Sequence, residues 1–474
     1  MRIDISGDSQ AAILEKLREV KEDVVTNLDS VDVAFEEPII RATIDLLRRV
    51  ASRDRRVTTM AFYNCSGPFE LIILEGLALQ LVSEIKVNGW SRLDSPLTSP
   101  PSAIFPALCW GIQCRHLEAV RFDNLILPTR ELAEFLTTVL VGSNHLKELN
   151  LIRIGFTEDE DEDKEHVISA LVAGLRHNTS LQELVLGDLG GDLDDVQAAR
   201  MVDALEMHSS LRRLALLKFD CGIQTTQALI KLLLKNHKLT DLEINKCHPS
   251  PTCIDSVTKS LRGHPCLERL DLIGNDLTDE ELNLGSLVEI LSTCPKLERL
   301  DLESNNFTCD GLKVLASHPL PSSLRWLNLT NNNFDEEESP CHILTILQHN
   351  PKLTFVDFDV EGEAELVVHQ KIDHLMDVNE SGKYLLSDGA VIPLSLWSLV
   401  LARANTLFYD FQPSESIASK RANVIFHLLQ GPALMQRRFD LEASHQPRLG
   451  QKCAAAFGLL QERSQQNQHI CSVM

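Results

Sequence analysis

Apolar residues recur along this chain in the pattern Leu-x-x-Leu-x-Leu, clearest at Leu267-Glu268-Arg269-Leu270-Asp271-Leu272 and Leu297-Glu298-Arg299-Leu300-Asp301-Leu302. The first leucines fall at Leu117, Leu146, Leu181, Leu211, Leu239, Leu267, Leu297, Leu324 and Leu353, at steps of 29, 35, 30, 28, 28, 30, 27 and 29 residues. Two weaker copies precede them, at Val57 with Met60 and Phe62 and at Val82 with Ile85 and Val87, so about eleven units fit. Alternation over so short a run predicts a half-buried strand. Between the runs, His166–Leu175 and Thr226–Leu234 put apolar side chains at i, i+3, i+4 and i+7, which predicts an amphipathic helix in each unit.

The ninth position of the unit is Asn275, Asn305 and Asn332 in three copies and Cys247 in a fourth, while earlier copies carry Leu125, Ile154, Leu189 and Phe219. A buried Asn side chain can satisfy backbone groups where the chain leaves the strand. Period, pattern and ninth residue together resemble the ribonuclease-inhibitor-like class of leucine-rich repeat, over roughly residues 35 to 360. The resemblance implies an α/β leucine-rich-repeat solenoid, or horseshoe, with parallel strands on the concave face, helices outside and a helical C-terminal cap. It implies no single activity, because the class serves many functions.

Strand alternation points positions three, five and seven of each unit onto the concave face. In the middle and late units these include Asp241, Glu243, Arg269, Asp271, Arg299, Asp301, Glu303, Trp326 and Asn328, followed by Phe355. A charged strip ending in aromatics suits a protein-binding hot spot, where Trp and Arg are enriched. The plainer alternative is that Arg and Asp pair across adjacent strands and that the C-terminal region covers Trp326.

The ends depart from the repeat. Ile13, Leu14, Leu17, Val20, Val24 and Leu28 have helical spacing and Pro38 opens a second helix, so residues 1–50 read as a helical N-terminal cap. Residues 51–360 form the solenoid, residues 361–460 a helical C-terminal region, and residues 461–474 a flexible tail. Two long units carry insertions. Residues 157–165 are an acidic run, read as a solvated loop or a docking site for a basic segment, and Ser95-Pro96 with Ser99-Pro100 mark a surface loop open to phosphorylation.

The formal charge of −23 argues against nucleic acid and favours a partner with a basic surface. No apolar run follows Met1 and no stretch of about 18 apolar residues occurs, so the expected location is cytoplasmic or nuclear. The twelve cysteines lack a Cys-x-x-Cys pair and read mainly as small core residues. Cys247, His248 and Cys253 supply too few ligands for a structural zinc, so no metal and no cofactor is expected. His177, His208, His237, His264 and His318 read as one equivalent repeat position at the end of the outer helix, bonding orphan carbonyls. No phosphate-cradling glycine loop, His-Glu-x-x-His or Gly-x-Ser-x-Gly occurs, so no enzyme is expected.

The last residues, Cys471-Ser472-Val473-Met474, fit a C-a-a-X motif, the form that favours farnesylation of Cys471; chance is the competing reading. Membrane association is expected only through that lipid, and one chain binds a membrane marginally. Asn379-Glu380-Ser381-Gly382-Lys383, leading to Pro393-Leu394-Ser395-Leu396-Trp397, resembles the tail of ribonuclease-inhibitor-like repeat proteins from unicellular algae, which supplies no activity. The leading expectation is a non-enzymatic protein-interaction scaffold gripping a protein partner on its concave face, with oligomeric state open. A regulator of small GTPases and a ubiquitin-ligase substrate adaptor are the alternatives on the same repeat scaffold. Against these, the chain has no long acidic C-terminal tail or catalytic-arginine segment of the first kind, and neither a Leu-x-x-x-Cys element nor an F-box pattern of the second.

Overall fold

A computed structural model describes residues 2–359 apart from 7–8, 20–26, 32, 54–56, 64, 66–68, 90–103, 114–116, 143, 157–160, 192, 280–283, 319, 322 and 336–337, together with 372–373, 375–376 and 379. The described residues fall into two compact units, one running to Asp335 with Asp357–Asp359, the other holding 338–356 and the positions beyond 360.

In the first unit strand and helix alternate. The strands are β1 (Arg2–Ser6), β2 (Asn27–Val31), β3 (Thr59–Tyr63), β4 (Glu84–Asn88), β5 (Ala119–Leu127), β6 (Glu148–Phe156), β7 (Glu183–Leu189), β8 (Arg213–Leu217), β9 (Asp241–Asn245), β10 (Arg269–Asp271), β11 (Arg299–Asp301) and β12 (Trp326–Asn328). The helices are α1 (Gln10–Glu19), α2 (Glu37–Ser52), α3 (Glu70–Ala78), α4 (Ile104–Gln113), α5 (Thr129–Gly142), α6 (Asp161–His177), α7 (Asp195–Ala204), α8 (Ile223–Lys235), α9 (Pro251–Ser260), α10 (Leu284–Thr293) and α11 (Cys309–Ser317). All twelve strands lie in one open sheet in chain order, and every neighbouring pair is parallel. This is the expected solenoid.

The leucines build its core. Leu267, Leu270 and Leu272 are buried, as are Leu297, Leu300 and Leu302 one coil further on, so each coil packs the same three side chains against the next. Burying one such side chain stabilises the fold by about 1.5–3 kcal/mol. Aromatics join this layer in the earlier coils, where Phe62 stacks on Phe69 at 4.9 Å and Phe105 meets Phe135 at 5.5 Å.

The shortest and the longest strands differ at the ninth position. Where it is Asn, the strands β10, β11 and β12 have three residues. Asn305 donates through Nδ2 to the carbonyls of Leu272, Leu302 and Glu303, and its Oδ1 accepts the N–H groups of Asn275 and Leu277. Its side chain thus does the work of further ladder bonds. With Leu125 and Ile154 at this position backbone pairs with backbone, and β5 and β6 extend to nine residues with Leu125 opposite Ile154, whereas β8, with Phe219 there, has five. Cys65 is a second cysteine in this place, its Sγ 3.4 Å from the carbonyls of Ser30 and Tyr63, as Cys247 Sγ is from those of Leu216 and Asn245.

Two expectations are corrected. Residues 1–50 are not a helical cap, because β1 and β2 extend the sheet in register, with Leu28 opposite Met60, and α1 and α2 are the helices of those coils. The pattern hid β2, which reads Asn-Leu-Asp-Ser-Val: its buried Ser30 lies opposite Phe62, at position six, where the repeat has an apolar residue. The five histidines do not share one position either. His208 and His264 are buried three residues before the first leucine of the next unit, with Nε2 2.5 Å from the Leu175 carbonyl and 2.8 Å from that of Asn236. Asn178 and Asn236 hold this same place in other coils, while His177 and His318 are exposed and bond carbonyls of their own helices, Ala173 and Val314.

Neighbouring outer helices are also tied together. Asp195, in the first turn of α7, accepts the N–H groups of Gln224 and Thr225 at 2.9 and 2.8 Å and so caps α8. Gly222 leaves room for this, since a Cβ there would sit 2.6 Å from the Asp195 carboxyl carbon. Burial pushes the Asp195 carboxyl up, but the Thr225 and Gln224 donors outweigh it and hold it below its ordinary value.

The second unit contains α12 (Ser339–His349) and the start of β13 (Phe355–Asp357). Buried Asn379 donates to the carbonyls of Leu347, Asn350 and Leu353, at 3.4, 3.4 and 2.9 Å. Asn236 makes the same kind of contact with His208 and Leu211, so the repeat's logic continues one step past the last recognisable leucine. The helices expected at 393–405 and 422–429, the acidic run over 157–160, the Ser-Pro loop and Cys471 lie outside the described residues.

Candidate functional site

The strand register aligns the outward positions into rows across the sheet. At position three the row runs Arg213, Asp241, Arg269, Arg299, Trp326, and at position five Ala215, Glu243, Asp271, Asp301, Asn328. The two Arg-Leu-Asp tripeptides therefore place Arg269 opposite Arg299 and Asp271 opposite Asp301. Like charges directly opposite repel, so pairing turns along the strand instead. Arg269 donates Nε and Nη2 to Asp271 Oδ2 at 2.9 and 2.6 Å, and only a 3.8 Å contact to Glu243 crosses to the next strand. The Arg–Asp pairing expected across strands is thus mainly within each strand.

Arginines bridge carboxylates along the rest of the face. Arg121 reaches Glu84 at 3.0 Å and makes a two-pronged contact with Glu148, and Arg213 reaches Glu243 at 2.9 Å and Glu183 at 3.8 Å. The pattern changes at β11. Arg299 has a single long contact, 3.5 Å from Nη2 to Asp301 Oδ2, and instead lies over the Trp326 ring, its guanidinium carbon 3.6 Å from the centroid. Such stacking is worth about 0.5–2 kcal/mol.

Three carboxylates of this strip, Glu243, Asp271 and Asp301, are held out of water. Asp271 and Asp301 are 1% and 2% exposed, Glu243 and Asn328 are buried, and Asp241, Arg269, Arg299, Glu303 and Trp326 are half-buried. Burial pushes Asp301 up to about 6; the Glu303 N–H and Arg299 oppose this, and the fields of Asp271 and Glu303 add to it. For Arg269 burial works against the charge, but the Asp271 hydrogen bond and the surrounding carboxylates outweigh it and raise it above its ordinary value. Asn328 donates to Glu303 at 3.0 Å and accepts from Thr330, which ties position five to position seven. The sequence-selected residues of β9 to β12 therefore form one contiguous cluster.

The cysteine and histidine candidates do not converge on a metal. Cys247 and Cys253 are buried, while exposed His248 bonds Asp276 at 2.6 Å. Among the described residues no group of three His, Cys, Asp or Glu is placed to hold an ion, and no helix is long and apolar enough to cross a membrane. Sequence reasoning missed Cys221, a buried thiol whose backbone N–H bonds the Cys247 carbonyl of the next coil at 3.4 Å; the neighbouring Cys247 thiol and burial push it well up. It sits two positions past the repeat's ninth residue, where the pattern carries no signal.

Comparison with known proteins agrees with the architecture. A family model described as Leucine Rich repeat matches residues 293–316, spanning β11 and most of α11. Protein NLRC5 of Ictalurus punctatus is 30% identical over 162 residues, which are 34% of this chain and 9% of that protein. The chain is a leucine-rich-repeat protein, and its match spans less than a tenth of this relative's length. Among solved structures, the tropomodulin C-terminal domain of Caenorhabditis elegans is 19% identical, with a TM-score of 0.30, covering 34% of this chain and 96% of that one. A TLR13-ssRNA13 complex is 16% identical, with a TM-score of 0.36, covering 65% of this chain and 37% of that one. At those values neither structure bears on any residue of this chain.

Proposed function

We propose that this protein is a non-enzymatic interaction scaffold that binds a protein partner with a basic surface on the inner sheet face of β9 to β12. The row of carboxylates carries the reading: Asp241, Glu243, Asp271, Asp301 and Glu303 outnumber Arg269 and Arg299 there, and Trp326 adds an aromatic edge. Rigid, in-register strands hold these groups before a partner arrives, which lowers the ordering cost of binding. A field of one sign steers an oppositely charged partner and sets specificity more than affinity.

The test is affinity purification from native cells with the intact chain and with Asp241→Lys/Glu303→Lys. Both side chains are half-buried on the sheet face, so their reversal changes the field more than the core. The reversed form is expected to lose the partner; an unchanged partner set would contradict the proposal. If Cys471-Ser472-Val473-Met474 ends the mature chain, farnesylation of Cys471 adds a weak membrane tether. Cys471→Ser would then reduce recovery with membranes, and equal recovery would remove the tether.

A further inference from the structure

We propose that Asp271 and Asp301 form the anchor for an arginine side chain of the partner, and that Arg299 is the internal stand-in which that side chain displaces. This rests on the inner-face reading above and narrows it from a surface to one residue type.

The hydrogen bonding of the two carboxylates is unequal and incomplete. Arg269 occupies only Oδ2 of Asp271, and Oδ1, on a side chain 1% exposed, has no hydrogen-bond partner. Buried polar atoms are normally partnered, and leaving one bare costs about 1–3 kcal/mol. Asp301 receives the Glu303 N–H on Oδ1 at 3.2 Å, but on Oδ2 only the long Arg299 contact at 3.5 Å. Arg299 is itself loosely held, because its buried Nε has no partner.

Counting the groups around the pair, Glu243, Asp271, Asp301 and Glu303 face Arg213, Arg269 and Arg299, four carboxylates against three guanidinium groups, and Arg213 is taken up by Glu243. One carboxylate charge beside Asp271 and Asp301 is thus unmatched, enough for one further cation. Parallel strands stand about 4.8 Å apart, a separation a planar guanidinium with five donors can bridge, whereas an ammonium lacks the fixed fork. Trp326 gives the displaced Arg299, or the incoming side chain, an aromatic face on which to rest.

The experiment measures binding of a labelled arginine-only peptide, and of a lysine-only peptide of equal length, to the full chain. The arginine peptide is expected to bind more tightly than the lysine peptide, and Asp271→Asn/Asp301→Asn to weaken it by about tenfold or more. Asp203→Asn/Glu206→Gln removes the same charge beside the outer helices, where these residues pair with Lys231 and Lys235, and is expected to change binding by no more than about twofold. Arg299→Gln removes the competitor and is expected to tighten binding. Equal losses in both carboxylate variants, equal binding of the two peptides, no binding at all, or weaker or unchanged binding by Arg299→Gln would each overturn the proposal. If the buried double variant fails to fold, the Arg299→Gln result decides alone. Partner capture lost on reversing Asp241 and Glu303 without any arginine-peptide binding would sink the anchor and leave the inner-face reading standing.

Discussion

Arg299 lies flat over Trp326, 3.6 Å from guanidinium carbon to ring centroid, at the point where Arg269 on the preceding strand makes a close two-pronged contact with its own Asp271 instead. Identical tripeptides in adjacent coils thus solve their charge problem differently. The coupling between Arg299 and Trp326 is expected to be about 0.5–1 kcal/mol in a double-mutant cycle of Arg299→Ala and Trp326→Leu, read from urea unfolding. Simple additivity of the two losses would contradict the stacking.

Asp301 is expected to make the fold less stable at neutral pH. Its folded-state value of about 6 lies above the ordinary value of about 3.9, so between these two the folded chain binds the proton first and stability rises as pH falls. Asp301→Asn is expected to be more stable than the parent at pH values above about 7, with the gap closing toward about pH 4. A constant gap across this range would contradict the burial cost assigned to Asp301.

His208 and His264 run the other way. Burial lowers both below the ordinary imidazole value, with the Leu175 and Asn236 carbonyls opposing it. The unfolded chain therefore takes protons first, and stability present above about pH 6.5 is lost as pH falls through that point toward the depressed folded values. His208→Asn/His264→Asn, which installs the residue already found at Asn178 and Asn236, is expected to flatten this part of the stability profile. The same slope in both proteins would contradict it.

Asn305 closes its turn with three donated and two accepted hydrogen bonds. Asn305→Ala is expected to cost about 3 kcal/mol or more in urea unfolding, since several buried backbone groups lose their partners at once. Half-buried Asn332, which accepts from Phe307 alone, should cost less on the same substitution. Equal costs would mean that burial does not govern the ladder.

Asp195→Ala removes the cap of a neighbouring coil's helix rather than its own. The expected loss is about 1 kcal/mol, and faster amide exchange should appear at Gln224 and Thr225 on α8. Faster exchange confined to α7 would contradict a tie between coils.

The sequence made the coil plain wherever leucine repeats at positions one, four and six, because those side chains meet only their own kind in the next layer. It concealed β2 for the same reason in reverse: polar Ser30 is buried at position six, where the later coils carry an apolar residue. Histidine misled by one residue. His177 sits beside Asn178, the position that matters, but Asn178 is buried, bonds the Leu140 carbonyl and accepts from the Ser180 and Leu181 N–H groups, while His177 is exposed. At the candidate site, which residues share the sheet face was legible from alternation. How they pair was not, because Arg-Leu-Asp in two coils leaves open whether an arginine meets its neighbour's carboxylate or its own until the register sets like opposite like.

Amide hydrogen exchange of the intact protein, with and without its captured partner, tests the inner-face account most directly. Protection confined to β9 through β12 and the turns leaving them is the expected result. Protection on the outer helices, with the strand amides and following turns unchanged, would contradict it.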